Sequence, residues 1–226
     1  ARFQRDDSRR PRGRSGKGKR NVSYGTGQFG GASATRRGRT ARPRGPRNQP
    51  SRIQVVRSLH KANLLPAIIF VFSRSGCDAA VNQLLNTDLV LTSQQEARHL
   101  RRIAQLHGEG LTDEERRAVG WTHFVAAFER GIAAHHAGLL PVIKAIVEEG
   151  FVAGLLKVVV ATETLALGIN MPARTVVLEK LVKYNGQTHA DITPGEYTQL
   201  TGRAGRRGID TQGHAVVCWQ PGMDPR

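Results

Sequence analysis

Cysteine is scarce in this chain. Only Cys77 and Cys218 occur in 226 residues, too few for a disulfide framework, and this fits a reducing cytoplasm. No apolar run approaches the roughly 18 residues that a membrane-spanning helix needs. The N-terminus has no apolar core of a secretory signal. The expectation is therefore a cytoplasmic protein with no membrane partner. The chain begins at Ala1 rather than Met, which suggests a fragment. Aromatic residues make up 5% of it, and acidic residues are outnumbered, 18 against 34 Lys and Arg.

That imbalance is local. Residues 1–50 hold 15 Lys/Arg against two acidic residues, leaving 19 against 16 for the remainder. The segment is built from Arg, Gly, Ser and Pro, with Phe3, Tyr24 and Phe29 as its only aromatics. So little apolar surface cannot offset the entropy of ordering a backbone, so 1–50 is predicted to be disordered. Its Arg-Gly pairs (Arg12-Gly13, Arg37-Gly38, Arg44-Gly45) suit loose contact with phosphates through charge and guanidinium stacking. The same composition also suits a solvated linker.

Two phosphate-loop patterns in this segment fail on context. Gly13–Lys19 fits most of a Walker A loop, but Arg20 stands where a Mg²⁺-binding Ser or Thr belongs. Gly25–Gly30 (GTGQFG) spells a dinucleotide fingerprint. Both loops work only between a hydrophobic strand and a helix N-terminus, and neither is so flanked.

From Ser51 onward the pattern alternates between helix and strand. Ser51–Ala62 places Ile53, Val56 and Leu59 on one helical face with Ser51 as N-cap. Pro66–Phe72 (PAIIFVF) is a continuous apolar run, as in a strand buried on both faces of a parallel sheet. A helix over Ser73–Leu85 follows, with Ala79, Ala80 and Leu84 inward. Residues 86–130 form a polar helical insertion, its inner face marked by Leu100, Ile103 and Leu106. Within it, Asp113-Glu114-Glu115-Arg116 imitates the DExx box of helicases. A Mg²⁺-binding carboxylate of that kind ends an apolar strand, which is absent here, and Thr112 with Glu115 makes a capping box instead. Strands follow at Ile132–His135, Leu155–Ala161, Thr175–Leu178 and Gly213–Trp219, with helices at Leu140–Val152 and Gly195–Arg203. Such alternation predicts an α/β domain over 51–226, a parallel sheet flanked by helices, whose ligands bind at the carboxyl ends of its strands.

Three strings carry chemistry suited to anionic oxygens: Phe72-Ser73-Arg74, Ala161–Pro172 and Gln199–Gly208. Helix-start amides, hydroxyls and arginine forks all bind phosphate. Arg203 and Arg206, three apart, are predicted to share one helical face beside Gly202 and Gly205. Two guanidiniums aimed at one spot repel unless a polyanion lies between them. The tandem His135-His136 invites a metal reading. Adjacent strand residues point to opposite faces, however, and no carboxylate or Cys stands at ligand spacing, so no metal site is expected. Cys77 has no His or Asp partner nearby in sequence and reads as a buried small residue.

These strings resemble a known set. QLTGRAGRRG (199–208), ATETLALGINMP (161–172) and FVFSRSGC (70–77) resemble motifs VI, V and IV of superfamily-two helicases. HHAGLLP (135–141) resembles an element of the superkiller-type, exosome-associated DExH-box subfamily. The likeness runs from about Pro66 to Trp219. It implies the second of two RecA-like domains that sandwich ATP and Mg²⁺, with the P-loop and metal-holding carboxylate on a first domain that these residues lack. By the same resemblance, Gln199, Arg203 and Arg206 face ATP, the two arginines acting as fingers. Gly168 and Asn170 approach the ribose and phosphates. Ser73, Arg74, Thr162 and the His136–Gly138 amides touch the backbone of a single-stranded nucleic acid, RNA being favoured over DNA. The resemblance further implies that the chain is inactive by itself. The rival reading is a binding module that acts through the basic segment, with the α/β domain as scaffold.

Overall fold

A computed structural model describes residues 50–165, 171–184 and 187–218, all within the unit Pro43–Arg226. The expected disorder of 1–50, together with the patterns at Gly13–Lys19 and Gly25–Gly30, lies outside them except for Pro50. In chain order the elements are α1 (Arg52–Lys61), β1 (Ala67–Phe70), α2 (Arg74–Leu85), α3 (Gln94–Gly108), α4 (Asp113–Ala118), α5 (Trp121–Glu129), β2 (Ile132–His135), α6 (Pro141–Val152), β3 (Val158–Ala161), β4 (Thr175–Leu178), β5 (Val182–Tyr184), β6 (His189–Asp191), α7 (Pro194–Thr201) and β7 (His214–Val217).

Five strands form one sheet in the order β2-β3-β1-β4-β7, every pair parallel. β1 lies at its centre, with Ala67 opposite Val158 on one side and Thr175 on the other. Alternate strand residues feed two cores. Ile68, Phe70, Val159, Ala161, Val176 and Leu178 face α3, α5 and α6. Ala67, Ile69, Val158, Val160 and Val177 face α1 and α2. A sheet covered on both sides needs apolar side chains on both faces, and this is why β1 and β3 read as unbroken apolar runs and β4 is interrupted only by Thr175, whose Oγ1 donates to the Leu64 carbonyl.

Capping places several helices. Ser51 Oγ accepts from the Gln54 amide at 3.2 Å while Gln54 Oε1 accepts from the Ser51 amide at 2.8 Å, and Thr112 with Glu115 forms the same reciprocal box at the start of α4. The insertion holds three helices, α3 to α5, and is continuous with the main core. Leu100, Ile103, Ala104 and Phe128 are all buried in it.

Two inward assignments are corrected. Ala79 is exposed, and Cys77, Ala80, Val81 and Leu84 line the inner face of α2 instead. Leu106 is 61% exposed, because the buried stripe of α3 runs Leu100, Ile103, Ala104, Gly108. The antiparallel hairpin β5–β6 was not among the expected elements.

Candidate nucleotide and nucleic-acid site

The site residues fall on two opposite edges of the sheet. β1, β2 and β3 deliver Ser73, His136 and Thr162 to the carboxyl edge. Arg203 and Arg206 lie at the amino edge, just before β4 and β7 begin. A four-residue strand, about 13 Å of chain, separates the two. The carboxyl-end rule therefore covers the first group and not the arginines.

At the carboxyl edge, Ser73 caps α2, its Oγ accepting from the Gly76 amide at 3.1 Å. A Cβ on Gly76 would lie 2.4 Å from that oxygen and 2.7 Å from Val71 Cγ1, so this turn requires glycine. Arg74 is exposed, and its Cδ passes 3.3 Å from where a Cβ on Gly138 would stand. The starts of α2 and of the β2–α6 loop thus lie side by side.

The tandem histidines diverge. His135 Nε2 meets Glu148 Oε1 at 2.9 Å, and His136 Nε2 meets Asp78 Oδ1 at 3.0 Å. The Gly138 amide donates to His136 Nδ1 at 3.2 Å, which leaves Nε2 as the proton donor to Asp78. Of the amides assigned to a nucleic-acid backbone, the one on Gly138 is therefore engaged internally. Burial holds the His135 pKa below its ordinary value. Thr162 is buried. Its amide donates to the His135 carbonyl at 3.3 Å, and its Oγ1 lies 2.9 Å from Thr164 Oγ1.

At the amino edge one expectation is corrected. Helix α7 ends at Thr201 with Gly202 as its cap, so Arg203 and Arg206 do not share a helical face. The chain is drawn out of the helix by an isolated parallel bridge between Ala173 and Ala204. In it the Ala173 amide donates to the Arg203 carbonyl at 3.0 Å and the Gly205 amide to the Ala173 carbonyl at 2.7 Å. Gly205 sits at φ +90°, where a side chain is strained. A Cβ on Gly213 would lie 2.4 Å from the Ala204 carbonyl carbon and oxygen, so β7 can pass this loop only with glycine there.

Arg206 is held by a residue the sequence reading missed. Its Nε and Nη2 donate to Asp210 Oδ2 and Oδ1 at 2.8 and 2.9 Å, and its amide donates to Oδ2 at 3.0 Å. The Asp210 side chain is 4% exposed, with Arg174 Nε 3.8 Å away. Hydrogen bonding to Arg206 holds the Asp210 carboxyl down to about 2 and raises Arg206. The fork uses two of the five guanidinium N–H groups and leaves three outside it. The i, i+4 spacing of Arg206 and Asp210 was a readable signal of this pair. Gln199 is exposed in the last turns of α7. Gly168 and Asn170 lie outside the described residues. The described chain leaves the carboxyl edge at Thr162 and resumes at Met171–Ala173 on the amino edge.

The Asp210 clamp has a pH signature. Its folded pKa, about 2, lies below the ordinary 3.8, so the stability it adds is complete above about 4 and is lost as pH falls towards 2. Chemical unfolding of this chain and of Asp210→Asn should show a gap at pH 6 that narrows by pH 3. A gap independent of pH would contradict the assignment.

Among the described residues, no group of three or more His, Cys, Asp or Glu is placed to hold a metal ion. Arginine donors suit phosphate oxygens, and the loop's one carboxylate, Asp210, is taken up by Arg206, so the loop does not fit Mg²⁺. Both cysteines are buried free thiols, and burial pushes Cys77 up to about 12, far from a reactive thiolate. No helix among the described residues is long and apolar enough to cross a membrane.

A parallel five-stranded sheet with helices on both faces and this motif set define the conserved C-terminal domain of helicases, whose family model matches residues 51–208. The chain belongs to that family, in the superkiller-type branch of superfamily two that includes HelY. It is 57% identical over 176 residues to "Probable helicase HelY" of Mycobacterium tuberculosis, covering 78% of this chain and 19% of that protein. It is 40% identical over 192 residues to "Superkiller complex protein 2" of Homo sapiens, covering 84% and 15%. Against "Exosome RNA helicase MTR4" of Homo sapiens it is 37% identical over 194 residues, covering 86% and 18%. The chain thus spans about a fifth or less of the length of each relative.

Proposed function

We propose that residues 51–226 act as the second RecA-like domain of an ATP-dependent nucleic-acid helicase in the cytoplasm. In this reading Arg203 and Arg206, with Gln199, meet the phosphates of an ATP whose P-loop and Mg²⁺ are held by a first RecA-like domain of the same protein. Gly168 and Asn170 approach the same nucleotide. Ser73, Arg74, His136 and Thr162 hold the backbone of a single strand at the other edge, beside Gly138, whose amide is engaged by His136 Nδ1. RNA is the favoured strand, since relatives carry the names of RNA helicases. The observation that carries the reading is the bridge from Ala173 to Ala204. It joins the end of the Thr162-bearing segment to the arginine loop, giving two ligands at two edges one mechanical connection. Contacts made chiefly through phosphates make strand binding sequence-independent and salt-sensitive.

The strongly basic 1–50 segment favours a second reading, in which that segment alone binds nucleic acid and the α/β domain is scaffold. One experiment separates them. The full-length protein lacking residues 1–50 should keep strand-stimulated ATPase, while the present chain alone should show none above background. Loss of strand binding with the segment alone would favour the second reading. Turnover by the isolated chain, free of contaminating enzyme, would overturn the half-site assignment.

A further inference from the structure

We infer that Lys183 is a positioning residue that couples the strand-binding edge to the arginine loop, its ammonium held between Glu163 and Glu196. This rests on the function proposed above. Glu163 directly follows Thr162, and Glu196 lies on α7, three residues before Gln199, with Arg203 just beyond the end of the helix. Lys183 Nζ lies 3.0 Å from Glu163 Oε2 and 2.5 Å from Glu196 Oε1. One side chain on β5 therefore joins the segment that carries Thr162, the hairpin, and the helix that leads into the arginine loop.

Three features separate this from an ordinary surface ion pair, whose contribution is small. Along β5 the neighbours Val182 and Tyr184 are exposed, and Lys183 is the residue that turns inward, its side chain 19% exposed. An inward lysine is costly unless its charge is matched, and here two carboxylates from separate segments match it. Without the ammonium, those carboxylates would be left facing each other's field. Glu196 is also fixed from the other side. Its Oε2 accepts from the Thr193 amide at 2.8 Å and from Thr193 Oγ1 at 3.0 Å, so the cap of α7 and the Lys183 contact share one carboxylate. The hairpin is further stitched by the Ile192 amide donating to the Leu181 carbonyl at 2.8 Å. The hydrogen bond from Lys183 is the main cause that holds Glu196 down to about 2, so the contact is fully charged at neutral pH.

The mechanical consequence follows from α7. Eight residues at 1.5 Å each make a rigid rod of about 12 Å. A displacement of Arg203 as phosphate is bound or released moves Glu196 with the rod, and Lys183 carries that motion to Glu163 and its neighbour Thr162. The path runs beside the bridge from Ala173 to Ala204, which the Arg203 carbonyl also enters.

The test uses the full-length protein with an oligo(U) strand, and in parallel an oligo(dT) strand of equal length. The readout is the ratio of ATP turnover with saturating strand to turnover without it, beside strand affinity in the absence of nucleotide. For Lys183→Met the ratio should fall about tenfold or more towards unity, with strand-free turnover and strand affinity within about twofold of the parent. Lys183→Arg, which keeps the charge, should recover at least half of the ratio. Glu196→Gln retains an acceptor for the Thr193 cap and should lower the ratio likewise, deciding the matter if Lys183→Met does not fold. An unchanged ratio would overturn the coupling role, as would strand-free and stimulated turnover falling in step, the mark of a merely structural contact. Arg206→Ala is the control. If it abolishes turnover while Lys183→Met leaves the ratio intact, coupling fails and the helicase reading stands. A parent protein that neither strand stimulates would remove both.

Discussion

Arg206→Ala in the full-length protein is expected to lower strand-stimulated ATP turnover by about 10³-fold or more, the range of an arginine finger on a transferring phosphoryl group. Asp210 complicates the reading of that loss. Removing the guanidinium leaves a carboxylate that is 4% exposed, with the backbone amide of position 206 at 3.0 Å and Arg174 at 3.8 Å. A buried charge that loses its main partner is destabilising in its own right. The double variant Arg206→Ala/Asp210→Asn removes that charge, so it should be more stable than Arg206→Ala without recovering turnover. Recovery of turnover in the double variant would mean that Arg206 serves the fold of the loop and not the phosphate. The Asp210 fork also explains how one arginine can be both fixed and available. Two N–H groups set the plane of the guanidinium, and three remain for a ligand.

Phe128→Ala is expected to destabilise this chain by about 3–5 kcal/mol, the usual cost of emptying an aromatic site in a core. Phe128 is fully buried at the end of α5 and stacks on Phe124 with ring centroids 5.4 Å apart. A Cβ on Gly150 of α6 would come within 2.8 Å of its Cζ, so there is little room for the surroundings to collapse into the void. The insertion is further pinned by Lys157 Nζ to Glu96 Oε1 at 2.8 Å. If the insertion were an appendage, the loss would stay below about 1 kcal/mol. Chemical unfolding of the two proteins distinguishes these outcomes.

The strands of the central sheet were legible because a doubly covered parallel sheet leaves a strong trace: β2 and β4 occur over the residues the pattern predicts, and β1, β3 and β7 within them. Ser51 and Thr112 were legible as caps because a capping box is local chemistry. Errors arose where a pattern underdetermines direction. Ala79 is small enough to suit either face of α2, and Leu106 sits one step outside the stripe that Leu100, Ile103 and Ala104 define. The hairpin was illegible because Val182–Tyr184 and His189–Asp191 are three residues each and expose two of every three side chains. The helical setting of Arg203 and Arg206 was misread because a tertiary bridge to Ala173, some thirty residues upstream, overrides local spacing. The placement of Lys183 between Glu163 and Glu196 joins three segments and left no signal in any one of them.

In the proposed function one domain keeps two ligands at opposite edges of its sheet, the nucleotide at the arginine loop and the strand beside Thr162. Its most direct measurement is strand affinity without nucleotide in full-length Arg206→Ala and Thr162→Val, set beside the parent. Arg206→Ala should bind oligo(U) within about twofold of the parent, whereas Thr162→Val, having lost a hydroxyl contact to a charged phosphate, should bind about tenfold more weakly. Strand affinity that collapses in Arg206→Ala and survives in Thr162→Val would contradict it.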